Sequence, residues 1–130
     1  MSDALEYAMI QISKRAVACR GWKWMPGMRT LDAMRVIHDA YRWPDRPCAI
    51  REGGWVDTAP PRPLKDDLPD LADAATLGCL LTLVREVWGA RPASMVNERT
   101  DRWAMFFLGG PVVHGPTEAE ALVAALEGAP

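Results

Sequence analysis

Apolar residues recur at helical spacing most densely between Asp70 and Gly89, DLADAATLGCLLTLVREVWG. Leu77, Leu80, Leu81, Val84, Val87 and Trp88 fall on one side of such a helix, and Leu83 and Cys79 widen the arc past half the circumference. Only Gly78, Thr82, Arg85 and Glu86 remain as a polar strip. A helix this apolar is contacted from more than one side, so a central buried helix is expected over about 74–88. Asp73 stands where an N-cap carboxylate would accept the first orphan N–H groups. Gly89 stands where a left-handed residue would end the helix.

The flanks carry shorter patterns. Ser2 can cap a helix from about Asp3 to Arg20, with Leu5, Ala8, Met9, Ile12, Ala16 and Cys19 on one face. Gly21 ends it, and Pro26-Gly27 reads as a type II turn. Residues 30–43 suit either a helix opened by Thr30 or a short strand at Met34–Ile37, with the strand favoured by the turn-like text that follows. A strand at Ala49–Glu52, a Gly53-Gly54 turn and a strand at Trp55–Thr58 make a hairpin. APPRPLKDDLPD, residues 59–70, should be an extended connector of polyproline character; as an SH3-type ligand it is the lesser choice.

Beyond Gly89, Ala93–Glu98, Arg102–Leu108 and Pro111–His114 read as three strands separated by turns at Arg99–Asp101 and Gly109-Gly110. Thr117 and Glu120 form a capping box for a last helix, whose stripe is Ala119, Leu122, Ala125 and Leu126 and whose end is Gly128. The expected fold is therefore α+β. It is one domain over 1–130, with an N-terminal half 1–58, the connector 59–70 and an α-β-β-β-α C-terminal half 71–130.

The double-stranded-RNA-binding domain shares that α-β-β-β-α order. Such domains present lysines to phosphates at the start of the last helix, whereas this chain has TEAEA there. Carboxylates at that place would repel a phosphate backbone, so the likeness extends to topology alone.

Charge refines this picture modestly. The net charge of -2 argues against general nucleic-acid coating. Residues 1–46 nevertheless hold eight basic and five acidic side chains, so the N-terminal third is mildly basic. Cys19, Cys48 and Cys79 are odd in number and lack CxxC spacing, which fits reduced thiols rather than a zinc site or disulfide framework. No run is long enough for a membrane span, and MSDALEYAMI lacks a basic region before an apolar core, so a soluble cytoplasmic protein is expected.

Candidate chemistry is sparse. His38 and His114 lie in no motif, and no nucleophile elbow, zinc helix, P-loop or dinucleotide fingerprint is present. Asp66, Asp67, Asp70 and Asp73 sit in a connector and a helix cap, which explains them without a metal. No enzyme, cofactor or metal is therefore expected. GWKWMPGMR, residues 21–29, is the most distinctive stretch. Trp22, Lys23, Trp24, Met25, Met28 and Arg29 are residue types that dominate binding hot spots, unless the tryptophans fold back into the core. The alternative is a nucleic-acid surface in which Lys14, Arg15, Arg20, Lys23 and Arg29 meet phosphates. A minor virion or assembly component is a third option.

WKWMPGMR, DLADAATLGCLLTLVREVWG and GPTEAEALVAALE together resemble a set of small proteins encoded in phage and prophage genomes, chiefly of proteobacteria. They span about a third of the chain, and the family has no assigned activity, so no functional residue carries over. The resemblance implies a phage-type setting, in which small accessory proteins act by binding host machinery. An anti-CRISPR role, inhibiting a host defence complex, would rest on that setting alone.

Overall fold

A computed structural model describes residues 3–38, 46–51, 62–89 and 93–130. The order of elements is α1 (Asp3–Ala18), β1 (Met34–Ile37), β2 (Cys48–Arg51), β3 (Arg62–Pro63), α2 (Ala74–Val87), β4 (Ala93–Arg99), β5 (Arg102–Phe107), β6 (Val112–Gly115) and α3 (Glu118–Glu127). These are three helices and two three-stranded antiparallel sheets, an α+β fold whose C-terminal half runs α-β-β-β-α. The chain divides into two units, Met1–Trp22 with Leu80–Pro130, and Lys23–Cys79. The division falls inside α2, while the proline run lies wholly within the second unit.

In α2, Thr76, Leu80, Leu83 and Val84 are buried, Leu77, Leu81 and Val87 are half-buried, and Gly78, Thr82, Arg85 and Glu86 are exposed. The polar strip thus faces water, as its sequence requires. Asp73 is the cap: its Oδ2 accepts from the Thr76 amide at 3.0 Å and the Thr76 hydroxyl at 2.8 Å. Gly89 adopts φ +77°, and its N–H donates to the Glu86 carbonyl at 3.1 Å.

The first unit is a helix-backed meander. Strand β5 lies between β4 and β6, and registers Met95 with Met105 and Val113. Helix α3 packs over β5 and β6 and buries Ala119, Ala121, Leu122, Val123, Ala125 and Leu126. Trp88 fixes which sheet face is covered. Its ring stacks on Phe107 at 4.4 Å between centroids, and its Nε1–H donates to the Ala125 carbonyl at 2.9 Å. Met105 and Phe107 therefore point toward α3, and each such buried side chain contributes roughly 1.5–3 kcal/mol. A Cβ on Gly115 would lie 2.5 Å from the Ala121 nitrogen, so β6 passes against α3 only because that residue has no side chain. Thr117 caps α3 by accepting from the Glu120 amide at 3.1 Å, the hydroxyl arm of the expected capping box.

Helix α1 packs against α3 through its later turns, burying Ile12, Ser13 and Ala16. Leu5 and Ala8, expected on the buried face, are exposed. The apolar stripe therefore meets the core only from about Met9 onward, and the first two turns project beyond it.

The second unit is built on turns and ion pairs. Met25–Met28 is the expected type II turn, with Gly27 at φ +101° and the Met28 N–H donating to the Met25 carbonyl at 3.1 Å. The chain then runs antiparallel to β1, the Val36 N–H reaching the Met28 carbonyl at 2.8 Å. Residues 34–37 are thus strand, and β2 pairs with them, Val36 opposite Ala49. The expected second hairpin strand, Trp55–Thr58, lies outside the described residues. The described part of the connector, 62–70, is hydrogen-bonded: Arg62–Pro63 joins β2 as β3, Asp66 turns the chain at φ +55°, and the Asp70 N–H donates to the Arg29 carbonyl at 2.8 Å. Met28, Val36, Cys48, Ala49 and Leu71 form the buried centre of this unit.

Candidate protein-docking surface

The distinctive stretch 21–29 does not present its side chains uniformly. Lys23 is exposed, Trp22, Trp24 and Met25 are half-buried, and Met28 has no exposed surface. Met28 is therefore a core residue and offers nothing to a partner; the turn at Pro26-Gly27 directs it inward against β1. Arg29 is half-buried, its Nη1 lying 2.5 Å from Asp70 Oδ2 and its backbone N–H donating to Thr76 Oγ1 at 2.8 Å. Trp22 closes one unit and Lys23 opens the other.

The alternative basic set is also divided. Lys14 and Arg20 are exposed. Arg15 holds Glu127 with two hydrogen bonds, of 2.6 and 3.2 Å, and that carboxylate raises its pKa further. Arg15 and Arg29 thus already have carboxylate partners, which lowers their value as phosphate contacts.

The acidic residues are similarly engaged. Asp67 accepts from Arg62 at 2.8 and 2.9 Å, and its pKa is lowered chiefly by that hydrogen bonding. Asp73 adds an Arg35 contact of 2.9 Å to its capping bonds. Burial alone would raise the Asp73 pKa, but Arg35 and Thr76 together bring it below the usual value. Among the described residues no group of three or more His, Cys, Asp or Glu is placed to hold a metal ion. No helix among them is long and apolar enough to cross a membrane.

The surface that stands out was not singled out by sequence reasoning. It is the outer face of the β4–β5–β6 sheet, opposite α3. Register places Ser94, Phe106 and Val112 in one row and Val96, Ala104 and His114 in the next. Val96 is 41 % exposed, Phe106 38 % and Val112 45 %, while Ala104 in the central strand is fully buried. Leu108, 73 % exposed, extends the apolar end. Beside it lies a cleft of about 370 Å³ lined by Ser94, Phe106, Phe107, Leu108 and Gly109. The other end of the face is charged. Glu98 Oε1 accepts from Arg102 Nε at 3.3 Å and lies 3.1 Å from His114 Nε2. A cleft of about 470 Å³ opens there between Arg99, Asp101, Arg102 and His114. Two arginines against one aspartate give its lining a modest excess of positive charge.

A signal for this face was present. RWAMFFL is apolar at consecutive positions, so it feeds both sides of a sheet, and α3 packs against one of them.

No known protein family, curated protein or solved structure matches this chain.

Proposed function

We propose that this chain is a non-enzymatic accessory protein of phage type that works by binding another protein. The outer face of the β4–β5–β6 sheet would receive an amphipathic helix of that partner. The observation that carries the reading is the cluster of Val96, Phe106 and Val112 on one open sheet face. Three large apolar side chains sharing one open face are more than the isolated exposed residues that need no explanation.

Dimensions favour a helix as the occupant. Three strands place the outer two about 10 Å apart, close to the 10–12 Å diameter of a helix with its side chains. The opposite face already holds α3 in that way. The cleft beside Phe106 and Leu108 offers room for an apolar anchor, and the Glu98, Arg102 and His114 end supplies a polar rim.

The test is affinity purification from infected or lysogenic cells, with a photo-cross-linker at position 112. The expected result is one protein cross-linked through a helix, captured equally by the wild type and Lys14→Glu and lost with Phe106→Asp. Capture undiminished by Phe106→Asp would overturn the assignment. So would binding to DNA or RNA that falls steeply with salt and is lost when Lys14 and Arg20 become Glu.

A further inference from the structure

Strand β4 carries an irregularity that re-aims one side chain. Ala93, Met95 and Asn97 lie opposite Phe107, Met105 and Trp103, on the side of the sheet that meets α3. Simple alternation would put Arg99 on that side too. The register shifts between Asn97 and Arg99, and Arg99 lies opposite Arg102 instead. Paired residues share a face, and Arg102 alternates with Ala104 and Phe106 on the outer one. The extra residue thus brings Arg99 round to the face of Val96, Phe106 and Val112, where it lines the cleft of about 470 Å³ with Asp101, Arg102 and His114.

Part of the charge there is already engaged. Glu98 Oε1 accepts from Arg102 Nε at 3.3 Å and lies 3.1 Å from His114 Nε2, so one carboxylate orients both groups. Arg99 is exposed, and among the described residues no carboxylate forms an ion pair with it. The terminal nitrogens of Arg102 are likewise unengaged there.

Building on the helix-docking role proposed for this face, we infer that the docked helix carries an aspartate or glutamate whose carboxylate enters the cleft, held by Arg99 and the terminal nitrogens of Arg102. A guanidinium fork matches a carboxylate with two parallel hydrogen bonds. The apolar row seats the helix, and the acid sets its direction, since the reversed helix would lay that charge over Phe106 and Leu108. Spacing is fixed as well. Arg102 is four residues along β5 from Phe106, about 13 Å at the rise of a strand. A helix covers roughly 10–12 Å in seven or eight residues, and those positions return to the same face. The acid therefore lies seven or eight residues from the side chain seated on Phe106 and Val112.

The test uses the partner helix cross-linked through position 112, made as a peptide and titrated onto the purified chain by fluorescence anisotropy. Arg99→Glu should weaken binding about tenfold and steepen no salt dependence, whereas Arg99→Lys should weaken it less than about threefold. Arg99→Ala should cost the acidic peptide about fivefold and cost nothing to the same peptide with its acid changed to the amide. A helix with no acid seven or eight residues from the cross-link overturns the inference. So does a peptide indifferent to Arg99→Ala and Arg99→Glu yet lost with Phe106→Asp, which leaves the docking role standing. A peptide that binds Phe106→Asp as well as the wild type, or no helix cross-linked at position 112, removes both.

Discussion

The two units hold themselves together by different means. Among the described residues, Lys23–Cys79 contains five buried apolar side chains besides Pro69, against sixteen in Met1–Trp22 with Leu80–Pro130. The smaller apolar centre is supplemented by three Arg–Asp pairs: Arg29 with Asp70, Arg35 with Asp73, and Arg62 with Asp67. All three are partly shielded from water, and each also engages backbone or a second side chain. In the described part of this unit, charge-assisted hydrogen bonds add definition to a small apolar centre. The helix-backed unit relies on apolar area and keeps its charged groups at the rim. Lys23–Cys79 should be sensitive to acid and to loss of single polar groups, the helix-backed unit to loss of volume.

Substitutions can break that contrast. The largest effect is expected for Leu122→Ala, which empties the space between α3 and the sheet and should cost about 2–5 kcal/mol in urea unfolding. Asp73→Ala removes a cap and the carboxylate partner of Arg35, costing about 2–3 kcal/mol in the same assay. Gly115→Ala pushes a methyl group into the Ala121 backbone and should cost about 1–3 kcal/mol.

Acid separates the units by another route. Asp67 and Asp73 have folded pKa values below their ordinary 3.8. Stability from them is therefore complete well above pH 3.8 and is lost as pH falls through that value toward the lower folded ones. Amide exchange in Lys23–Cys79 should accelerate in that window, and Asp73→Asn should reduce the dependence. Equal acid sensitivity in both units would refute the distinction.

Smaller effects sharpen it. Phe106→Asp, on the outer sheet face, should cost about 1–2 kcal/mol of stability while abolishing partner capture. Ala33 holds φ +66°, left-handed backbone at the turn into β1, so Ala33→Gly should stabilise by up to about 1 kcal/mol.

What was legible in the sequence is what is decided locally. Asp73, Gly89, Pro26-Gly27 and Thr117 each act within four residues of themselves, and each occupies its expected turn or cap. Strand β1 was distinguishable from a helix only by context, because four residues carry no clear period. Exposure was less legible. Nothing local distinguishes Met28, fully buried, from Met25, half-buried, because depth is set by how residues 27–30 pair with β1. Phe106 likewise lies in a strand that reads as apolar on both faces, and its exposure depends on which face α3 covers.

Cys48 adds a practical consequence. It sits fully buried in the middle strand of its sheet, opposite Ile37 and Pro63. An alkylating reagent reaches that sulfur only when the strands part, so its labelling rate counts how often they do. The molecule thus carries its own clock for transient opening, and no probe has to be introduced to read it.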